Sequence, residues 1–278
     1  MFRMLVTMAV AGALFSAPAL AADKGSVYDR ILSSGKIRCG YFSWPPYFMK
    51  DPNTGAMSGL NYDYMVEIGR VLGLKVEWTE ETTPGTMITG LDSGRYDVSC
   101  ASLWPDESRL KNALMTSPTF YSTVYAVVRK DDDRFDAGKK PLDSPDVTAA
   151  GLEGDVTYYL AKEEYPKAKL EALPQSADGS LLLQTVASKK ADVALVDKGI
   201  LADFNRTNGN VLKVVAGLPP VRVFPECLAV KRGEVELKIL LDTAIKTIND
   251  SGKPAEFIKR YPGYEFFAPA QGWASAPK

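Results

Sequence analysis

Five residues between Ser102 and Arg109 carry the types and spacing that could hold a carboxylate. The run Tyr96 to Ser102 reads as a buried strand, Ser102 and Trp104 fall where it stops, and Pro105 breaks the extended backbone. Asp106 can then cap a new helix, with Arg109 in its first turn. Helix-start amides attract anions, and a guanidinium fork grips a carboxylate through two hydrogen bonds. On these residues alone, Arg109 could equally be a surface arginine and Trp104 packing. A second acidic residue, Asp197, follows directly on another strand-like run, Ala191 to Val196. Its ordinary alternative is a surface carboxylate or a helix cap.

Those positions need elements to hold them. Val27 to Leu32 reads as a short helix, Lys36 to Tyr41 as a strand, and 43–57 as a loop rich in Pro, Gly and aromatic residues. Asn61 can cap a helix in which Met65, Ile68, Val71 and Leu72 recur at helical spacing. Leu74 to Thr79 reads as a strand and Thr86 to Asp92 as a helix. Alternation of strand and helix points to a parallel sheet covered by helices, whose ligands sit at the carboxyl ends of its strands. The candidate residues Tyr41 to Tyr47 and Ser102 to Arg109 fall at such ends. After a β-rich run, Val124 to Val128, a second alternating unit follows: strand Val147 to Gly151, helix Tyr158 to Tyr165, helix Ser180 to Ser188, and the strand before Asp197. The chain returns through Val221 to Val230 to a helix over Glu236 to Asn249 with an apolar stripe, a last helix over Pro254 to Tyr261, and a loose tail from Ala268.

Composition excludes several classes. The 278 residues hold 33 basic and 34 acidic side chains and no histidine. Histidine triads, histidine-ligated metals and imidazole switches therefore drop out. Near-neutral charge gives no reason to expect a nucleic acid or an anionic membrane surface. Neither a phosphate-cradling Gly-Lys-Ser/Thr loop nor a Gly-x-Ser-x-Gly elbow occurs, so no cofactor is expected. The three cysteines, Cys39, Cys100 and Cys227, suggest no disulfide framework, and their apolar settings favour buried thiols over a bridge. Which pair might bridge is not readable. Residues 1–21, with Arg3, an apolar core from Met4 to Phe15 and small residues at Ala19 and Ala21, read as a secretory signal peptide. No later run has membrane length, and no cysteine before Cys39 could carry a lipid anchor.

In order and spacing the motifs resemble the periplasmic amino-acid-binding proteins of ABC importers, family 3 of the bacterial solute-binding proteins. The matching pieces are the glycine-ending first strand before WPPYF, Gly55 to Asp63, Leu91 to Asp97, Asp106 to Arg109, the TSPTFY run ending at Tyr121, and Ala191 to Asp197. The resemblance implies a type II periplasmic-binding fold, α/β, with two lobes that are each a mostly parallel sheet flanked by helices. One lobe would comprise 22–122 with 225–278, the inserted lobe 123–224, and the two crossings would act as a hinge. It implies that Arg109 takes a ligand α-carboxylate with help around Ser102 and Trp104. Asp197 would take the α-ammonium, and Asp155, Val156 and Thr157 would add contacts from the second lobe. Opposite charges on two lobes are satisfied together when a zwitterion bridges them, and the solute then favours closure.

Departures from the family pattern matter too. Phe42, Ser43 and Trp44 stand where many relatives carry an acid, Pro84 where many have an aromatic, and Trp104 where a small hydroxyl residue is usual. These give a pocket with rebuilt apolar walls, in which Trp44, Tyr47, Trp104 or Tyr121 supplies aromatic contact and Asp155 adds negative charge. The expected protein is a monomeric periplasmic receptor that hands a small amino-acid-like or related carboxylate solute to an ABC permease and performs no catalysis. Two alternatives stand beside it: a cyclohexadienyl-dehydratase-like enzyme with Asp155 or Asp197 as acid, and the sensing component of a membrane receptor.

Overall fold

A computed structural model describes residues 26–262 and 264–269; the signal-peptide reading and all but the start of the loose tail lie outside the described residues. The strands are β1 (Lys36–Tyr41), β2 (Met49–Lys50), β3 (Met57–Ser58), β4 (Lys75–Glu81), β5 (Val98–Leu103), β6 (Ala113–Arg129), β7 (Thr148–Leu152), β8 (Lys169–Leu173), β9 (Val193–Asp197), β10 (Leu212–Val214), β11 (Arg222–Lys231) and β12 (Phe266–Phe267). The helices are α1 (Val27–Ser34), α2 (Leu60–Leu72), α3 (Met87–Asp92), α4 (Glu107–Asn112), α5 (Val156–Glu164), α6 (Gly179–Ala187), α7 (Lys198–Asn208), α8 (Val235–Asp250) and α9 (Lys253–Lys259).

One sheet runs through the molecule in the order β4-β1-β5-β11-β6-β9-β7-β8, with β10 and β12 attached to β6. The triplet β4-β1-β5 is parallel, as is β9-β7-β8, and the two are joined by antiparallel pairings of β11 and β6. This is the type II periplasmic-binding architecture that the family resemblance implies, and its parallel ends covered by helices are what the alternation of strand and helix led one to expect. Strand β6 is 17 residues long because it serves both ends of the sheet. Its first part pairs with β11 from Ala113 to Val124, and its last part pairs with β9 from Val124 to Val127. The sheet is therefore continuous, and among the described residues only β6 and β11 carry chain from the β4-β1-β5 end to the β9-β7-β8 end.

Every residue of β5 and of β9 is buried, as expected for parallel strands covered on both faces. Helix α8 lays Leu237, Leu241, Ala244, Ile245 and Ile248 inward, at the spacing that the sequence shows. The acidic residues after strands cap the helices that follow: Asp106 accepts from the Arg109 amide, Asp155 from Thr157, and Asp197 from Gly199 and Ile200. Helix α2 differs from expectation. It begins at Leu60 with Gly59 as its cap, and Asn61 is a buried residue of its first turn. Helix α7 and strand β8 were not expected. Among the described residues no helix is long and apolar enough to cross a membrane.

The cysteine expectation is corrected. Cys39 and Cys100 form a disulfide, and only Cys227 is a buried thiol. Register explains it: β1 and β5 are parallel neighbours with Cys39 opposite Val98, which brings the two Cα atoms to 5.4 Å. A bridge spanning 61 residues restricts the unfolded chain, and losing such a bond commonly costs about 2–5 kcal/mol. Replacing both Cys39 and Cys100 by alanine is expected to lower urea-unfolding stability by about that amount. Thiol titration of the unreduced, unfolded wild-type chain should find Cys227 alone; two or three reactive thiols would contradict the bridge.

Candidate functional site

The carboxyl ends of β1 and β5, the start of α2 and the start of α5 meet around a cavity lined by Phe42, Trp44, Tyr47, Phe48, Asn61, Pro84, Ala101, Ser102, Leu103, Trp104, Arg109, Asp155, Val156 and Glu226. Its volume is about 30 Å³, against the roughly 300–1,000 Å³ of a small-molecule pocket. Side chains from the two ends of the sheet have come together over it. Gly179, at the start of α6, lies so close to Trp44 that an added Cβ would sit 2.7 Å from the indole. Gly199, at the start of α7, is in the same relation to Pro46, at 2.5 Å. The Thr83 hydroxyl donates to the Gln175 carbonyl at 2.7 Å. A residue larger than glycine at 179 or 199 would hold the two ends apart.

Arg109 sits 2% exposed at the end of this cavity. Its Nη2 donates to Asp155 Oδ2 at 2.6 Å, its Nη1 donates to the Trp104 carbonyl at 2.8 Å, and Asp106 Oδ2 lies 3.4 Å from Nε. The Asp106 contact has ion-pair distance without hydrogen-bond alignment, so Nε and Oδ2 remain buried without hydrogen bonds. Arg109 thus already grips a carboxylate, and that carboxylate belongs to the opposite end of the sheet.

Asp197 occupies a different setting. Its Oδ1 caps α7 through the Gly199 and Ile200 amides, and its Oδ2 accepts from Trp44 Nε1 at 2.8 Å. Burial pushes its carboxyl up to about 6 against the pull of those donors. It does not line the cavity. Thr157 is buried beside the site, with its hydroxyl accepting from the Leu152 amide, and Tyr121 lies half-buried in β6 between β11 and β12; neither lines the cavity. Phe42, Trp44, Tyr47, Ser102, Trp104, Asp155 and Val156 do.

Glu226 was not singled out from sequence, and it is a buried carboxyl lining the cavity. It is 3% exposed. Its Oε1 accepts from Trp104 Nε1 at 2.7 Å and from the Ser122 hydroxyl at 2.6 Å, and its Oε2 accepts from the Ser102 hydroxyl at 2.6 Å. Burial raises its carboxyl to about 7, with the Asp197 charge adding to the effect and the three donors opposing it. Trp104 is therefore fixed rather than free: it stacks on Phe224 at 4.9 Å and donates into this network. The signal for Glu226 was present as one acid inside the otherwise apolar run FPECLAV. Phe48 and Asn61 join it as lining residues that the sequence had placed in a loop and at a helix cap, and Pro84, expected among the rebuilt walls, lines the cavity too.

Chemically the site combines one guanidinium, two cavity-facing carboxyls and an aromatic wall. Such a set binds a small charged molecule and also resembles the surroundings of a general acid. Residues 37–264 match the sequence profile of the bacterial extracellular solute-binding proteins, family 3. The probable ABC transporter extracellular-binding protein YckB of Bacillus subtilis is 29% identical over 179 residues, which is 63% of this chain, and the chain spans 60% of that relative's length. The L-cystine-binding protein TcyA of the same organism is 24% identical over 246 residues, 87% of each protein. Among solved structures, the ancestral amino acid-binding protein AncCDT-1, described as a precursor of cyclohexadienyl dehydratase, is 25% identical with a TM-score of 0.71, covering 85% of this chain and 99% of that one.

A carboxyl whose folded pKa lies above its unfolded value binds a proton more readily when folded, so its contribution to stability is full below the unfolded pKa and is lost as pH rises through the folded one. For Glu226 that window runs from about 4.5 to about 7. The Glu226→Gln protein is expected to lack this part of the decline, gaining on wild type by up to about 3 kcal/mol between pH 4 and pH 8. Urea unfolding at a series of pH values checks it; parallel stability curves for the two proteins would contradict it.

Proposed function

We propose that this chain, which belongs to the bacterial extracellular solute-binding proteins of family 3, captures a small amino-acid-like or related carboxylate solute between two lobes and delivers it to an ABC permease. In this reading residues 1–21 direct export and are removed, and the mature protein works in the periplasm as a monomer. Residues 22–122 with 225–278 make one lobe and 123–224 the other, with the crossings in β6 and β11 as the hinge. The observation that carries the reading is the buried Arg109 bound to a carboxylate inside an aromatic cavity at the strand ends. The solute's carboxylate takes the place of Asp155 on the guanidinium fork, and Trp44, Tyr47, Phe48 and Trp104 enclose its body. Only a solute that contacts both lobes stabilises the closed arrangement over an open one.

Transport requires no bond-making, and none of the site residues is needed as a nucleophile. A second reading is favoured by one observation: Glu226, with its carboxyl at about 7, shares the cavity with Arg109. That is the setting of a general acid beside a carboxylate clamp, as in a dehydratase. Recovery of a bound solute unchanged after prolonged incubation, followed by NMR, supports the receptor; its conversion supports the enzyme.

Saturating solute, at a hundredfold over its Kd, should add about 2.7 kcal/mol to the stability of the wild-type protein. The Arg109→Ala protein should lose this stabilisation by carboxylate solutes in a thermal-shift screen of amino acids, aromatic acids and amines. Equal stabilisation of both proteins would remove Arg109 from the site.

A further inference from the structure

One acceptor in the cavity has no donor. Asn61 Nδ2 donates to the Ser102 hydroxyl at 2.9 Å, and Ser102 gives its own proton to Glu226 Oε2. This relay fixes the amide's orientation, because a hydroxyl that donates to Glu226 must accept from Asn61. Asn61 Oδ1 is then left buried without a hydrogen-bond partner among the described residues. Glu226 is short of a partner in a different sense. Its donors, Ser102, Ser122 and Trp104, are all neutral, and among the described residues no cation pairs with it. A buried carboxylate without a counter-charge and an orphaned amide oxygen are both costly, and a single group repairs both. That group is a cation bearing N–H protons. Trp44, Tyr47 and Trp104 line the same cavity, and aromatic walls suit a cation.

We infer that Glu226 and Asn61 Oδ1 together receive a protonated primary or secondary nitrogen of the solute, while Arg109 takes its carboxylate. The inference rests on the amino-acid-like reading of the site and specifies which residues hold the ammonium end. It reassigns a role that the sequence resemblance gives to Asp197, whose Oδ1 caps α7, whose Oδ2 holds Trp44, and which does not line the cavity. Asp197 becomes a positioning residue for Trp44. A quaternary ammonium has no proton for Asn61 Oδ1 and is disfavoured.

The test is a thermal-shift screen of the twenty L-amino acids and L-cystine on the protein purified from the periplasm of an expression host. The best stabiliser is then titrated by calorimetry against wild type, Glu226→Gln, Asn61→Ala and Asp197→Asn, together with its deaminated acid. Glu226→Gln and Asn61→Ala are each expected to weaken it at least tenfold, Asp197→Asn to weaken it less, and the deaminated acid to bind wild type at least tenfold more weakly than the amino acid. Wild-type affinity in both Glu226→Gln and Asn61→Ala, or equal binding of the deaminated acid, overturns this inference and leaves the amino-acid reading standing. Should Glu226→Gln fail to fold, the Asn61→Ala titration decides. No stabilisation by any of these amino acids overturns the amino-acid reading, and this inference with it.

Discussion

A guanidinium buried to 2% exposure needs a carboxylate, and the partner of Arg109 comes from the far end of the sheet. That requirement organises the site. Removing one member of a buried ion pair commonly costs about 3–5 kcal/mol, because the other is left charged and dry. Arg109 is held by α4, whose start Asp106 caps, and Asp155 is held by its own cap on α5. When the two meet, Trp44 reaches Asp197 and Thr83 reaches Gln175. Three polar contacts thus close the cleft around a cavity of about 30 Å³. Under the proposed function a solute enters by opening the cleft, and it must offer Arg109 what Asp155 now supplies.

The other half of the proposed recognition lies in β11. Glu226 is carried by a strand that runs between β5 and β6, so it faces the hydroxyls of Ser102 and Ser122 from both neighbours. Trp104 closes the network from the β5 end, which ties its ring to Phe224 and to the carboxyl at once. The cavity therefore has a cationic pole at Arg109 and an anionic pole at Glu226, enclosed by aromatic rings. Low dielectric strengthens both poles and penalises a solute that satisfies only one. In the proposed receptor, discrimination between a zwitterion and a simple acid or amine follows from that asymmetry.

Much of this was legible in the sequence because it is local. Asp106, read from sequence as a cap, does cap α4, and Asp197 takes the cap that was its ordinary alternative; the cap that Asp155 places on α5 was not foreseen. The α8 stripe and the boundaries of β1 and β5 were readable to within a few residues. What the sequence did not disclose depends on strand order. The Cys39–Cys100 bridge follows from β1 lying beside β5, and the partner of Arg109 is 46 residues away. Glu226 meets Ser102 across 124 residues, and its acid within an apolar strand was the sole local hint. Asn61 looked like a cap because asparagine favours that position; Gly59 begins the helix instead, and Asn61 turns inward. Helix α7 buries only Gly199, Ile200, Leu201 and Phe204 against a polar remainder, too weak a periodicity to stand out.

The central claim is that Asp155 occupies the seat of the solute's carboxylate on Arg109. Calorimetric affinity of a stabilising amino acid for the Asp155→Asn protein tests it most directly. Removing the competing charge is predicted to tighten binding, by about tenfold if the lost ion pair is worth about 1.4 kcal/mol. Weakening of the amino acid to the level of the Arg109→Ala protein would make Asp155 a direct support of the solute and contradict the exchange.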